Sequence, residues 1–351
     1  MILAVITSCV FTKDTERVVT IDSNEKAVGC NLFELIDSQT FKIDNIIYSL
    51  NNNHLEITGC DKRFEGKAYF ISALNYHGTV YKTTVIDSHA FSNCETLTDI
   101  EIPKSITHIG EFAFYGCNSL MSISVDKANP IFDSRENCNA IIRTKDNRLE
   151  VGGGLTKIPE GIKSLGMLAF ENRTNLKSIN IPASLVDICE NYFIGCVALK
   201  SITVDEKNPF YDSRNNCNAI ICKKDNSLIS GCANTIIPND VVSIAPSAFE
   251  GCKMLTHIEI PDNVKDIESD AFAECTNLKE FSFPRKTRII HSVFRNCDSL
   301  ETIFLPREVT KIDCEFKYSC KNLKRIIIPK GSRQKFEKLI ERKYHYLLVE
   351  K

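Results

Sequence analysis

The chain has 351 residues, of which 43% are hydrophobic and 25% charged, enough for one or two conventional domains. A formal charge of −2 and a pI near 6.4 leave no basic field of the kind that nucleic acid or an anionic membrane selects, so no nucleic-acid partner is expected. Trp is absent while Phe numbers 20 and Cys 16, and residues of those types at fixed spacing signal a repeated packing role.

Taken in chain order, residues 2–9 read ILAVITSC, a short apolar run. Its last four residues resemble the lipobox of bacterial lipoproteins, with Cys9 as the lipidated residue. No Lys or Arg precedes it, whereas a signal carries a basic n-region. Two readings therefore stay open, a start codon lying upstream or an ordinary apolar N-terminus. Residues 10–37 are largely polar and unpatterned and read as a tether between anchor and folded body. No other stretch approaches the roughly 20 apolar residues of a membrane span.

From residue 87 onward the chain repeats. Phe followed three residues later by Cys recurs at Phe91 and Cys94, Phe114 and Cys117, Phe193 and Cys196, Phe249 and Cys252, Phe272 and Cys275, and Phe294 and Cys297. The steps from Phe91 to Phe114 and from Phe249 to Phe272, 23 residues each, and from Phe272 to Phe294, 22 residues, fall in the window of about 20 to 29 residues that gives one solenoid coil per unit. Strand-like stretches of alternating apolar residues precede the Phe: LTDIEIP at 97, LKSINIP at 176, LTHIEIP at 255, LETIFLP at 300 and LKRIIIP at 323. In the first of these, Leu97, Ile100 and Ile102 point inward, Asp99 and Glu101 outward, and Pro103 ends the strand because it has no N–H to give. A second apolar pair, Ile106 and Ile109 or Val264 and Ile267, carries the chain round the far side to the Phe and Cys. Those two positions should stack in ladders.

A longer period of 79 residues relates Phe91, Phe170 and Phe249, so a two-coil block has been duplicated. Within the block, NPIFDSRENCNAIIRTKDNRL at 129–149 matches NPFYDSRNNCNAIICKKDNSL at 208–228 and is too long for one coil. Each copy reads as an inserted β-hairpin turning at Asp146-Asn147 or Asp225-Asn226.

The pattern L-x-x-I-x-I-P-x-x-[IV]-x-x-I-x-x-x-A-F-x-x-C resembles the BspA-like leucine-rich-repeat family of bacterial surface proteins over roughly residues 85–330. The resemblance implies a right-handed, β-rich solenoid with short strands on the concave face, an irregular or short-helical far side, and non-enzymatic adhesion at the cell surface. FKIDNIIYSLNNNHLEITGC at 41–60 resembles the hairpin that opens such domains, and residues 328–350 resemble their closing helix and strand. The expected divisions are an N-terminal β cap at 38–86, the solenoid at 87–330 and a helix-strand cap at 331–351. Arg173 in place of a ladder Cys, and the variant EFKYSC at 315, should interrupt the ladders.

The ladder cysteines read as small buried side chains, and no disulfide pairing is visible in their spacing. Cys138 and Cys217, repeated as N-C-N-A, read the same way. No C-x-x-C pair marks a zinc site, no cofactor is implied, and the seven His residues fall at unrelated repeat phases. Gly152, Gly153 and Gly154 look like a phosphate loop, but no Lys-Ser/Thr follows, so a turn is favoured. DSREN and DSRNN resemble pieces of calcium loops without the alternating carboxylates and final Glu, which favours Asx-turns.

Binding is expected on the outward strand positions: Asp99, Glu101, Asn180, Thr203, His257, Glu259, Glu280, Thr302, Phe304 and Arg325. Phe304, Ile327 and His257 are the expected hot spot. The expected partner is an extracellular protein or glycan bound by a monomer, with the membrane reached only through a lipid on Cys9. Two rival readings are a spacer without a ligand and an enzyme with Cys222 or Cys232 as nucleophile, which needs an accessible, perturbed thiol.

Overall fold

A computed structural model of the chain describes residues 17–22, 25–61, 64–188, 190, 192–313, 316 and 320–351. The chain divides into two compact units, one running to Lys157 together with Gly166–Ala169 and the other comprising Ile158–Leu165 and Phe170–Lys351.

The first unit opens on a sheet whose strands bury every second residue. Its members are β1 (Val18–Ile21), β2 (Ala27–Val28), β3 (Phe33–Leu35), β4 (Thr40–Ile43), β5 (Ile46–Asn51) and β6 (His54–Cys60). After β7 (Gly66–Ala68), which lies elsewhere, come β8 (Ala73–Tyr76) and β9 (Thr79–Ile86), giving the lateral order β2-β1-β8-β9-β6-β5-β4-β3. Val19, Ile21, Phe41, Ile43, Tyr48, Leu55 and Ile57 line its inner face, at most 1% exposed. Tyr48 keeps its hydroxyl satisfied by accepting the Ile71 N–H at 3.2 Å. β1, β2 and β3 therefore belong to the sheet, where a tether was expected. These strands are only two to four residues long, too short for alternation to register against the intervening polar turns. Cys9 lies outside the described residues.

Coils begin one strand earlier than the L-x-x-I-x-I pattern implies. β7 pairs in parallel with β10 (Leu97–Ile102), and β10 in parallel with β12 (Ser122–Val125), while β11 (His108–Ile109) on the far side extends β9. Next comes an antiparallel meander of β13 (Phe132–Asp133), β14 (Ala140–Arg143) and β15 (Arg148–Gly152).

In the second unit β16 (Ser164–Leu165) forms a parallel bridge to Asp187, and β17 (Ser178–Ile181) pairs in parallel with β18 (Ser201–Val204). The meander recurs as β19 (Tyr211–Asp212), β20 (Ala219–Cys222) and β21 (Ser227–Gly231), followed by far-side strands β22 (Ser243–Ile244) and β23 (Asp266–Ile267). LTHIEIP at 255 keeps the alternation, with Leu255 and Ile258 buried and His257 and Glu259 exposed, but is not a hydrogen-bonded strand. The last coils supply β24 (Glu280–Ser282), β25 (Ile289–Ile290), β26 (Thr302–Phe304), β27 (Lys311–Ile312) and β28 (Arg325–Ile328). Helix α1 (Arg333–Leu339) and β29 (Leu348–Glu350) follow, and β24-β26-β28-β29 form one parallel sheet.

Both ladders exist, and they are joined. Phe91 stacks on Phe114 with centroids 5.4 Å apart, Phe170 lies 5.4 Å from Phe193, and Phe249 stacks on Phe272 at 5.0 Å. The thiol one coil later then donates to the ladder Phe carbonyl. Cys117 Sγ reaches Phe91 O at 3.1 Å, Cys196 reaches Phe170 at 3.0 Å, Cys275 reaches Phe249 at 3.3 Å and Cys297 reaches Phe272 at 3.0 Å. A thiol is small and apolar enough for this core yet still offers one weak donor, which Ala or Val lacks. Cys320 makes the same contact to Phe294 O at 3.7 Å, so the last coil continues the ladder where a break was expected. Arg173 is buried in its ladder place, 2% exposed, and donates to the Glu171 carbonyl.

One ladder cysteine departs from the expected reduced state, because Cys94 is joined to Cys60 by a disulfide. Spacing could not reveal it, since Cys60 lies in β6, outside the repeat. Two residues after the ladder Phe the backbone turns left-handed at Asn93, Gly116, Asn172, Gly195, Gly251, Glu274 and Asn296, which accounts for the recurrent Gly or Asn before Cys. At Gly251 a Cβ would also lie 2.6 Å from the Gly195 nitrogen, so only glycine fits.

The two meanders share a buried anchor. Asn208, 1% exposed, donates from Nδ2 to Pro182 O at 3.0 Å and Leu185 O at 2.8 Å, while its Oδ1 accepts the N–H groups of Phe210 and Tyr211, each at 3.0 Å. Asn129 makes the same four bonds, to Pro103, Ile106, Ile131 and Phe132. Both amide hydrogens and both lone pairs of the carboxamide oxygen are used, and this explains the Asn-Pro that opens each block.

Candidate functional site

Parallel strands in register bring outward residues of successive coils side by side, about 4.8 Å apart. In the first unit Asp99 stands opposite Lys67 and Ser122, and Glu101 opposite Ser124. Glu101 is exposed and pairs with Lys67 Nζ at 3.2 Å, while Asp99 is half-buried and accepts the Thr98 hydroxyl at 2.5 Å. Lys67 also lies 4.9 Å from the ring centre of Tyr69, which is 57% exposed. This rim of an exposed aromatic ring, an ammonium and two carboxylates was missed in the sequence because the coil of β7 lacks the leucine signature; the run KAYF at 67–70 was its signal.

In the second unit Asn180 faces Thr203, whose hydroxyl donates to Asn180 Oδ1 at 2.9 Å, and both are exposed. His257 and Glu259 are exposed neighbours, Nε2 and Oε1 3.8 Å apart. Glu280, Thr302 and Arg325 form one row across β24, β26 and β28, and Ser282, Phe304 and Ile327 the next.

Three of these positions are less open than expected. Thr302 is only 4% exposed, because its hydroxyl receives Arg325 Nη2 at 3.1 Å and the side chain is boxed between rows. Ile327, 6% exposed, is flanked in register by Phe304 on one side and Val349 of the closing strand on the other. Phe304 is half-buried. The apolar hot spot placed on Phe304 and Ile327 is thus mostly interior packing, whereas Tyr69, beside β7, stands open. Arg325, Glu280 and His257 remain exposed.

The rival chemistries find little geometry. Gly152, Gly153 and Gly154 have their N–H groups committed to Ala169 O, Thr156 Oγ1 and Leu120 O, so the segment is a turn with nothing left to cradle a phosphate. In DSREN the Arg135 N–H bonds Asp133 Oδ1 at 3.1 Å, an Asx-turn, and the Arg135 guanidinium clamps the same carboxylate and Asn147. Arg214 repeats the clamp on Asp212 and Asn226. Cys222 is half-buried, and Cys232 is buried with its thiol pushed up by desolvation, the reverse of an activated nucleophile. Burial likewise raises the thiols of Cys196, Cys252 and Cys297 to about 12. Cys196, Cys232 and Cys252 border a cavity with room for about one water molecule. Among the described residues no group of three or more His, Cys, Asp or Glu is set to hold a metal, and no helix is long and apolar enough to cross a membrane.

Comparison with known proteins sets these features in a family. The sequence profile of the BspA type leucine rich repeat region matches in six copies over residues 65–141, 155–224 and 227–340. No curated protein matches the chain in sequence. Among solved structures, pneumococcal vaccine antigen PcpA is similar with a TM-score of 0.50 at 19% identity, covering 82% of this chain and 81% of its own. A leucine rich cell surface protein from Faecalibacterium prausnitzii shows a TM-score of 0.43 at 22% identity, covering 87% of this chain and 98% of its own. A leucine-rich repeat protein from Eubacterium ventriosum gives 0.46 at 18% identity, covering 85% and 78%. Repeat pattern, joined Phe and Cys ladders and profile match agree that the chain belongs to the BspA-type leucine-rich-repeat family.

Proposed function

We propose that the chain is a non-enzymatic binding protein of a bacterial cell surface, acting in adhesion or recognition, whose strand faces grip an extracellular protein or glycan. The observation that carries this reading is the open row of β7, β10 and β12. Tyr69, Lys67, Asp99 and Glu101 sit there on hydrogen-bonded strands, presenting an exposed aromatic ring beside a Lys67–Glu101 ion pair. Asn180, Thr203, His257, Glu259, Glu280 and Arg325 extend the same kind of surface within the second unit. The name of the Faecalibacterium protein, a cell surface protein, and the Cys60–Cys94 disulfide, a bond that persists outside the reducing cytoplasm, support an extracytoplasmic address. Cys9 is the proposed lipid anchor, and the protein is proposed to act as a monomer.

The test is a binding screen of the purified chain against immobilised matrix proteins and a glycan array, repeated with Tyr69→Ala/Glu101→Ala and with His257→Ala/Glu280→Ala. Saturable binding weakened about tenfold by either pair locates recognition on that strand face. Saturable binding untouched by both pairs, or silence across both panels, refutes it. Metabolic labelling with palmitate that is unaffected by Cys9→Ser would refute the anchor.

A further inference from the structure

Charge is unevenly distributed along this chain. Residues 301–351 contain 13 Lys or Arg against 7 Asp or Glu, a net +6, so the remainder carries −8. The coils bring part of that excess into line. The residue after the strand-ending proline is Asp262, Arg285, Arg307 and Lys330 in four successive coils, and the Arg285 N–H bonding Asp262 Oδ1 at 3.2 Å shows the first two neighbouring each other. Arg307 Nη2 donates to Lys330 O at 2.9 Å, and Lys335 of α1 places its ammonium on Arg307 O. All four cations are exposed, Arg285 by 89% of its side chain. Its contact with Asp262 is a loose 3.6 Å, and Arg307, Lys330 and Lys335 have no carboxylate partner among the described residues. The nearby Glu350 carboxylate already accepts the Arg333 N–H, and Glu308 is the one acid adjoining the column in sequence.

We infer that the column Arg285–Arg307–Lys330, with Lys335 beside it, is a docking track for a linear anionic polysaccharide carrying sulfate or uronate groups. Adjacent strands stand about 4.8 Å apart and run in register, so the equivalent position after each strand presents a cation in three coils running, a repeated positive site for a repeating polyanion. Arg adds a planar fork that pairs two oxygens of one sulfate or carboxylate. Asp262 closes the track at one end. A single glycan chain fits a file one residue wide, whereas a nucleic-acid duplex presents two phosphate strands with a charge every ~1.7 Å, far more than three or four cations in one file can match. The track lies on the loop edge after the strands and does not depend on the strand-face reading.

Calorimetric titration of the full chain with a size-defined heparin oligosaccharide at 50 and 150 mM NaCl tests it. Arg285→Gln/Arg307→Gln/Lys330→Gln should weaken binding about tenfold or more at 150 mM and flatten its salt dependence. Lys127→Gln/Lys207→Gln/Lys253→Gln, which changes net charge equally on exposed positions elsewhere, should change it less than about twofold. Tyr69→Ala/Glu101→Ala should leave heparin binding intact, which separates failure of the track from failure of the strand face. Absence of binding by the native chain at 50 mM, equal losses in both triple variants, equal affinity for a desulfated and carboxyl-reduced oligosaccharide, or equal competition by duplex DNA would each overturn the assignment. If the column variant proves misfolded by circular dichroism, Lys330→Gln alone, expected to lose about threefold, decides the matter in the same titration.

Discussion

Replacing Asn208 by Ala removes four hydrogen bonds at one blow from a site only 1% exposed. The N–H groups of Phe210 and Tyr211 lose their acceptor, and the carbonyls of Pro182 and Leu185 lose a donor, although Pro182 O keeps the Leu185 N–H. A buried donor left unpaired costs about 1 to 3 kcal/mol, so the two N–H groups alone set a range of about 2 to 6 kcal/mol. Water entering the space vacated by the carboxamide recovers part of this, and the expected loss is about 3 kcal/mol. Against a typical total of about 5 to 15 kcal/mol this is large, and it falls where the chain leaves its coil for the meander. Urea unfolding measures the loss, and hydrogen exchange locates it, because the Phe210 and Tyr211 amides should lose protection first. Asn180→Ala, which gives up one bond from an exposed side chain, should cost less than about 0.5 kcal/mol. A loss below about 1 kcal/mol for Asn208→Ala, or unchanged protection at residues 210 and 211, would refute the reasoning. Asn129→Ala should repeat the result in the first unit.

Phe272→Ala empties a fully buried site ringed by Phe249, Phe281 and Phe294 and should cost about 3 to 5 kcal/mol by thermal or urea unfolding, while Glu101→Ala should cost little. The buried thiols carry a pH signature. Their folded values lie above the unfolded one, with Cys196, Cys252 and Cys297 near 12, so the neutral thiol favours the native state. That contribution is complete below the unfolded pKa of about 8.5 and is lost as pH rises toward 12, so unfolding free energy should fall across that window and fall less steeply in Cys297→Ala. Native protein at pH 8 should also resist alkylation at these positions and label on unfolding. Peptide mapping after alkylation in denaturant without reductant should find Cys60 and Cys94 unmodified, and modification of both would contradict the disulfide.

The repeat was legible because a coil is a local object. Leucine, isoleucine, proline, phenylalanine and cysteine recur at 22 or 23 residues, so period alone states which side chains face inward and that equivalent positions stack. Leu97, Ile100 and Ile102 and the Phe ladder were readable on that basis, while the 79-residue duplication marked two equivalent segments, read as hairpins, where the three-stranded meanders lie. The first-unit strands at 18–35 were not, being too short and irregular for alternation to mark them. Nor was the Cys60–Cys94 bond, which joins the repeat to a strand outside it. Exposure needed tertiary structure most. Thr302 and Ile327 occupy outward phases of their strands, yet the closing strand and Arg325 cover them, whereas Tyr69 stands open on a coil with no leucine signature. Hydrophobic periodicity by itself determined the fold family and the inward face of each coil. Which outward residues reach solvent, and which cations fall into file, depends on neighbours 22 or more residues away, and only the stacked coils decided that.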